Sequence, residues 1–193
     1  MQVMNMAEKI ILASGSPRRR QLLDMAGFDF EVIPANVDES ADPLLGPEEL
    51  VAALSEKKAL ALDIKNAVII GADTVVAIDG LILGKPKDEE DAYNMLSRLQ
   101  GRMHVVYTGV TVVAAAKSST DIKTFVESTK VFMRPLTEGE IHAYISTGEP
   151  LDKAGAYGIQ ERGAVLIERI EGDYFTVVGL PLCRLNKLLL SMR

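Results

Sequence analysis

The segment at residues 68–78, VIIGADTVVAI, constrains the fold more than any other part of the chain. It is rich in β-branched residues and apolar except for one carboxylate, which favours a buried strand. An ionised Asp73 inside such a strand is costly unless it is paired with a cation or bound to a metal. From the residues alone three interpretations stay open: a functional carboxylate, a structural salt bridge to a lysine, and a strand end open to water.

Strands and helices follow one another without a regular βαβ series, which predicts an α/β fold with a mixed sheet. The predicted strands cover residues 9–14, 28–34, 68–78, 81–83, 104–116, 122–134, 164–170 and a short segment around 177–178. The predicted helices cover residues 17–26, 47–63, 88–99 and 137–146, and a closing helix opens at Pro181. Asp79-Gly80 and the polar loop at 117–120 are predicted hairpin turns. Because no Pro/Ser-rich linker divides residues 1–193, we interpret them as a single domain.

Composition narrows the class of protein. The net charge of −6 argues against loose binding to nucleic acid, which depends on clustered cations. No apolar run approaches the ~18 residues of a membrane span, and the first nine residues lack the order of a signal peptide, so we expect no membrane partner and a cytoplasmic location. One cysteine and two histidines are too few for a Cys/His zinc site, so any metal must bind oxygen ligands. We interpret His104, His142 and Cys183 as structural.

Three consecutive arginines, Arg18-Arg19-Arg20, fall in the first turn of the predicted helix that follows Gly15-Ser16-Pro17. Cations are unfavourable there by about 0.3–1 kcal/mol each, because the N-terminus of a helix already presents unpaired N–H groups and partial positive charge. A bound phosphate chain would resolve this conflict. The alternative, in which the arginines point outward and pair with surface acids, stays open.

Three further charged residues are candidates for the same site. Lys85, in Gly84-Lys85-Pro86, follows the second strand of the predicted hairpin, which favours a place near the sheet end that carries Asp73. Glu39 lies in an acidic turn, and Lys58 lies midway along a predicted helix. For both residues the alternative, an ordinary solvated position on the surface, stays open.

The segment at residues 152–160, DKAGAYGIQ, combines charges, two glycines, an aromatic ring and an amide. Glycine permits close approach of the backbone to a ligand, and Gln160 can donate and accept hydrogen bonds at the edge of a base. Tyr157 is expected either to stack on a ligand or to pack inside. The segment is thus a candidate binding loop, with a tight structural loop as the alternative.

Seven segments carry a resemblance to a known family: SGSPRRRQLL, VDE, EKKA, GADTVV, GKP, GEPLDKAGAYGIQ and VVGLPL, in this order. From about residue 11 to the closing helix, the chain resembles the Maf family of nucleotide pyrophosphatases. The resemblance implies an elongated mixed β-sheet flanked by helices, in two lobes with a central cleft. That fold is similar to the fold of inosine triphosphate pyrophosphatases.

The resemblance also implies a reaction, the hydrolysis of a nucleoside triphosphate to the monophosphate and pyrophosphate. Asp73 would be the catalytic proton acceptor and, with Glu39, would bind a divalent metal cation, Mg²⁺ or Mn²⁺. The residues implied for phosphate and substrate binding are Ser14, Ser16, Arg18, Arg19, Lys58 and Lys85. The family likeness further suggests a homodimer, whereas the expectation of no stable nucleic-acid partner rests on the net charge.

Base preference follows from three positions, again through the resemblance. Arg18, Thr74 and Gln160 together resemble the branch of the family that hydrolyses dTTP and UTP, and modified pyrimidine nucleotides are further candidate substrates. Two alternatives stay open: a 7-methyl-GTP pyrophosphatase, and a nucleotide-sensing regulator of septum formation.

Overall fold

The computed structural model describes residues 9–40, 42, 44–116 and 119–192. Residues 1–8, and Lys117 and Ser118 of the predicted hairpin loop, lie outside them. The strands are β1 (Lys9–Leu12), β2 (Phe30–Val32), β3 (Ala67–Ile78), β4 (Leu81–Leu83), β5 (Met103–Ala115), β6 (Thr120–Met133) and β7 (Ile167–Glu171). They form a sheet in the order β2-β1-β3-β5-β6-β7, and β4 pairs with β3. Strand β1 is parallel to β2 and β3, whereas β3–β4 and β6–β7 are antiparallel, so the predicted mixed α/β fold is confirmed.

Six α-helices lie between and after these strands in the described residues: α1 (Pro17–Met25), α2 (Pro47–Leu60), α3 (Glu89–Leu99), α4 (Glu138–Ile145), α5 (Tyr174–Val178) and α6 (Leu182–Ser191). Local signals explain several boundaries. Ser16 is the N-cap of α1 with Pro17 at its first position, and Gly27 follows the helix with a φ of 76°. Thr137 and Glu140 form a capping box at the start of α4. No helix in the described part of the chain is long and apolar enough to span a membrane.

Two predicted strands are wrong in whole or in part. The apolar pair at 177–178 belongs to the helix α5, because the Asp173 carboxylate accepts the Thr176 N–H at 2.8 Å and so caps a helical turn. The strand predicted at 164–170 begins only at Ile167. The residues before it form the 3₁₀ turn Glu161–Leu166, since backbone N–H groups of that turn donate to a side chain instead of a neighbouring strand. The loop predicted at 152–160 also contains the 3₁₀ turn Ala154–Ala156.

Two compact units make up the chain. The first comprises the residues up to Asp73, Thr108–Glu127 and the residues from Gly179 onward, and the second comprises Thr74–Tyr107 and Ser128–Val178. The core of the first unit includes Ile11, Ala13, Ala59, Ala67, Ile69, Val113 and Ala115. The core of the second includes Val76, Leu96, Leu99, Val106, Val131, Met133, Ile141 and Tyr157. Our interpretation of residues 1–193 as one domain stays a prediction.

Two glycines allow α2 to pack unusually close to the sheet in the first unit. A Cβ atom on Gly71 would lie 2.3 Å from the Ser55 carbonyl oxygen and 2.7 Å from the Ala59 nitrogen. A Cβ atom on Gly109 would lie 2.3 Å from the carbonyl oxygen of Val51. The helix backbone therefore rests directly on β3 and β5, where any larger residue would push it away.

The close approach of α2 to the sheet also determines where the side chain of Lys58 lies. Gly71 and Asp73 are two residues apart on β3, so they point to the same face of the sheet. Ser55, whose carbonyl contacts Gly71, precedes Lys58 by nearly one helical turn. The packing of α2 thus brings the Lys58 side chain over the face that carries Asp73.

Substituting Gly71→Ala is expected to lower the free energy of unfolding by about 1–3 kcal/mol, because the added methyl group overpacks the contact with α2. Urea unfolding of the purified variant measures this change. The matched control is Gly139→Ala in α4, where no atom lies within 4 Å of an added Cβ. That substitution should raise stability by up to about 1 kcal/mol, because alanine favours the helix. A Gly71→Ala variant as stable as the wild type would contradict the close packing.

A buried histidine makes the stability of the second unit depend on pH. His104 is only 1% exposed, and its Nε2 lies 2.7 Å from the hydroxyl oxygen of Tyr157. Burial lowers the pKa of His104 from 6.5 to about 4. Between these two pH values His104 is protonated in the unfolded chain but not in the folded chain. The free energy of unfolding therefore falls as the pH falls.

From pH 7.5 to pH 5, the free energy of unfolding should therefore drop by about 2 kcal/mol on account of His104 alone. His104→Gln keeps a side chain that can hydrogen-bond Tyr157 but does not titrate, so the variant should lose that part of the pH dependence. His142→Gln, at the exposed histidine of α4, is the control and should keep it. Urea unfolding at the two pH values tests this, and equal slopes for His104→Gln and wild type would refute the assignment.

Candidate active site

Asp73 has the paired environment that a carboxylate inside an apolar strand requires. The Lys58 ammonium donates to Asp73 Oδ1 at 2.6 Å, and each residue is only 8% exposed. The pairing satisfies two charges that would otherwise be costly to bury. The lysine partner considered among the sequence-based interpretations is therefore present, and Lys58 is a buried residue of α2 instead of a solvated one.

Glu39 contributes a second carboxylate to the same ammonium. Its Oε1 lies 2.9 Å from Lys58 Nζ, and its side chain is 60% exposed. The neighbouring Asp38 instead accepts hydrogen bonds from the Ser40 N–H and hydroxyl, and so holds the turn. Of the acidic pair, Glu39 is the residue that reaches Lys58, which places this ammonium between two carboxylates.

Arg19 faces inward and connects three segments of the first unit. Its Nη1 donates to the Ala72 carbonyl oxygen at 2.8 Å and to the Ser14 hydroxyl at 3.1 Å. Its Nε donates to the Gly179 carbonyl oxygen at 2.9 Å. Arg19 therefore ties the start of α1 to the residue that precedes Asp73 on β3.

The charges around Arg19 act on one another. Burial lowers the pKa of Arg19, and the neighbouring Arg18 lowers it further, whereas the carboxylates of Asp73 and Glu39 raise it. Both carboxylates are thus near enough to stabilise the guanidinium. Arg19 of the first turn of α1 and Asp73 of β3 therefore interact within this unit.

The three consecutive arginines differ in environment. Arg20 is exposed and pairs with Asp24 one turn along α1, at 3.8 Å between Nε and Oδ2, so the surface-pair alternative applies to it. Arg18 and Ser16 are half-buried. Ser14 is buried, and its hydroxyl accepts the backbone N–H of Ser16 at 3.3 Å. The predicted phosphate-binding roles of these residues stay predictions.

Three predicted residues belong to the second unit: Lys85, Thr74 and Gln160. Lys85 is exposed just after β4, whereas Thr74 and Gln160 are half-buried, the former directly after Asp73 in β3. The expected position of Lys85 near Asp73 stays a prediction, as do the roles of Thr74 and Gln160.

The candidate binding loop is held from inside. Tyr157 is buried against His104, so its ring packs in the core of the second unit, the second of its two expected roles. The Lys153 ammonium donates to the Glu149 carbonyl oxygen at 2.7 Å and to Asp152 Oδ1 at 2.8 Å. Gln160 therefore sits on a segment whose neighbouring side chains have structural contacts.

Two residues that support this loop, Tyr144 and Glu149, were not predicted from the sequence, and His104 was predicted only to be structural. The Tyr144 hydroxyl donates to Glu149 Oε1 at 2.9 Å. The one sequence signal was the position of Glu149 between Gly148 and Pro150, at the start of the segment that ends in Gln160.

Two carboxylates on one cation are also the arrangement that a divalent metal would use. Glu39 Oε1 and Asp73 Oδ1 both lie within 3 Å of Lys58 Nζ, so an ammonium already occupies a position suited to positive charge. Mg²⁺ commonly binds one or two carboxylates and takes its remaining ligands from water and substrate phosphates. Within residues 9–40, 42, 44–116 and 119–192, no group of three or more His, Cys, Asp or Glu residues could hold a metal ion.

Comparison with known proteins agrees with this fold. A family model described as Maf-like protein matches residues 9–192. A dTTP/UTP pyrophosphatase of Dictyoglomus turgidum is 51% identical over 187 residues, covering 95% of this chain and 96% of that protein. A protein of the same name from Carboxydothermus hydrogenoformans is 54% identical over 181 residues, covering 93% and 96%.

A solved structure, that of the Staphylococcus aureus Ham1 protein, covers 96% of this chain and 100% of its own with a TM-score of 0.51. Its sequence identity is 16%, so the likeness concerns the fold alone. The family match, together with sequence identities of about half over nearly the whole length, shows the family to which this chain belongs. The chain belongs to the Maf family.

Proposed function

We propose that this chain hydrolyses dTTP and UTP to the monophosphate and pyrophosphate. The observation that carries the proposal is the convergence of Asp73 and Glu39 on the Lys58 ammonium, beside the arginine-bearing turn of α1. Acid groups and cations together at one place suit the hydrolysis of a phosphoanhydride. The substrate comes from relatives named dTTP/UTP pyrophosphatase.

In this mechanism Asp73 is the proton acceptor. Lys58 holds its Oδ1, and we assign to Oδ2 the proton of the water that attacks the α-phosphorus. A new bond forms between the water oxygen and the α-phosphorus as the bond to the bridging oxygen breaks. Pyrophosphate leaves, and the monophosphate carries the oxygen that came from water.

The cations and hydroxyl groups would hold the triphosphate. We assign phosphate contacts to Arg18, Ser14, Ser16, Lys58 and Lys85. Arg19 adds positive charge and keeps the backbone at Ala72 in place. Glu39 and Asp73 would hold Mg²⁺ or Mn²⁺, which when bound supplies neutralisation of the phosphate charge.

Base preference is assigned to Arg18, Thr74 and Gln160, with uracil and thymine as the bases. The two alternatives differ in what is hydrolysed: a 7-methyl-GTP pyrophosphatase would prefer a methylated purine, and a nucleotide-sensing regulator would bind without turnover. The same proposal includes a cytoplasmic location and a homodimer in which each chain is a single domain. It includes no stable nucleic-acid partner.

Asp73→Asn is expected to lower kcat by about 10²–10⁴-fold, because an amide cannot take the proton of the attacking water. Release of pyrophosphate from UTP measures the rate, and thermal unfolding checks that the fold survives. Asp79→Asn is the matched control: Asp79 pairs with Arg102 at an exposed turn, and its φ of 51° is one that asparagine accepts. Wild-type turnover in Asp73→Asn would reject the role of this carboxylate.

A panel of nucleotides tests the substrate and the metal together. UTP and dTTP should give pyrophosphate and monophosphate in the presence of Mg²⁺ or Mn²⁺, and an excess of EDTA should abolish turnover because the phosphate charge is no longer neutralised. Pyrophosphate and orthophosphate are scored separately. A clear preference for 7-methyl-GTP would favour the first alternative, and UTP bound but recovered intact with metal present would favour the second.

A further inference from the structure

A side-chain cluster in the second unit supports the segment that contains Gln160. We call it the Tyr144–Glu149 clasp, after the two residues whose side chains form it. Glu149 Oε1 accepts from the Tyr144 hydroxyl at 2.9 Å and from the Gly163 N–H at 3.0 Å. Its Oε2 accepts from the Arg162 N–H at 3.1 Å. One carboxylate therefore satisfies two backbone donors of the turn that follows Gln160.

The other half of the clasp acts on the opposite side of Gln160. The Tyr144 hydroxyl oxygen accepts the Gly158 N–H at 3.1 Å while its proton goes to Glu149. Burial raises the pKa of Tyr144, so the hydroxyl keeps this proton near neutral pH. The clasp thus fixes the backbone two residues before Gln160 and again two and three residues after it.

Two glycines let the segment fold directly onto the clasp. A Cβ on Gly163 would lie 2.6 Å from the Tyr144 hydroxyl oxygen and 2.2 Å from the carbonyl oxygen of Gly158. A Cβ on Gly158 would lie 2.7 Å from Lys153 Cε. These contacts leave the backbone on either side of Gln160 little room to shift.

Two residues of the chain around Gln160 also have an uncommon backbone conformation. Glu161 has a φ of 55° and Ala156 has a φ of 59°, although neither is glycine. Such residues persist only where surrounding contacts hold them. The two N–H groups that Glu149 accepts follow Glu161 immediately, so the clasp supplies contacts at the strained turn.

We infer that Tyr144 and Glu149 are positioning residues that hold Gln160 where it reads the base of the substrate. This inference rests on the proposed function, in which Gln160 contributes to base preference. A glutamine amide can present either an acceptor or a donor, so it distinguishes uracil from cytosine only when its placement is fixed. Loosening the clasp should therefore reduce selectivity more than chemistry.

Tyr144→Phe removes the hydroxyl that donates to Glu149 and accepts from Gly158. Glu149→Gln replaces one of the two accepting carboxylate oxygens by an amino group, which cannot accept a backbone N–H. Each should lower kcat/KM for UTP about tenfold, mainly through KM, and should reduce the preference for UTP over CTP by a similar factor. The matched controls are Tyr93→Phe on α3 and Glu138→Gln on α4, which make the same chemical changes outside the clasp. Neither control should alter selectivity.

Gln160→Ala and amide hydrogen exchange separate this inference from the proposed function. If Gln160→Ala loses the preference and both clasp variants keep it, the clasp has no positioning role and the proposed function stands. If Gln160→Ala keeps the preference, Gln160 does not read the base and the inference fails with that assignment. Clasp variants that slow all nucleotides equally would likewise overturn it.

Exchange in the substrate-free protein gives a readout that needs no activity. The amides of Gly158 and Gly163 should exchange about tenfold faster in Tyr144→Phe and Glu149→Gln than in the controls. If the wild type fails to hydrolyse UTP, the proposed function fails, and with it the role of the clasp in reading the base. Amide exchange then tests only whether the clasp holds the backbone around Gln160. Unchanged exchange in both variants would then refute the support of this segment.

Discussion

The buried ion pair between Lys58 and Asp73 constrains how the first unit is built. Two charges removed from water are tolerated only when they meet at hydrogen-bonding distance, here 2.6 Å, so the helix that carries Lys58 must lie close to the strand that carries Asp73. Gly71 and Gly109 make this approach possible, because a Cβ at either position would overlap the helix backbone. A hydroxyl contact of 2.9 Å between Ser55 of α2 and Thr111 of β5 adds a buried polar link to the same interface. Packing and electrostatics therefore require the same position of α2.

The consecutive arginines of α1 differ in environment and in role. Arg19 makes three hydrogen bonds inside the unit, and one goes to the carbonyl oxygen of Ala72, the residue before Asp73. Arg20, one residue later, lies at the surface beside Asp24. A single 100° step along the helix separates a side chain that organises the candidate site from one in solvent. Charge at the start of α1 is thus partly structural, and Arg18 is the member to which phosphate contact is assigned most directly.

Elements with local causes could be predicted from the sequence, and those with distant causes could not. The strand around Asp73 and the turn at Asp79-Gly80 follow from β-branched residues and turn chemistry within a few positions. The helix α5 was missed because two adjacent valines resemble a strand unless the capping carboxylate of Asp173 is weighed against them. The contacts of Glu149 join it to residues 13 and 14 positions away, a separation over which no pattern in a single sequence indicates a partner. The same distinction applies to the residues of the candidate site. The cost of burying a carboxylate singles out Asp73 from the sequence alone. Lys58 and Glu39 were distinguished from ordinary surface charges only through the family resemblance.

Lys58 has a further consequence under the proposed function. Its ammonium has three donors and already contacts two carboxylates, so it offsets part of their negative charge while no substrate is bound. A triphosphate approaching alone would meet Glu39 and Asp73 as like charges, which is unfavourable in a partly buried place. A further cation beside those two carboxylates would let Lys58 turn toward a phosphate oxygen without leaving them short of positive charge. The same three side chains would then favour a triphosphate that arrives with its divalent cation over the bare nucleotide, because only the former keeps every buried charge paired throughout binding.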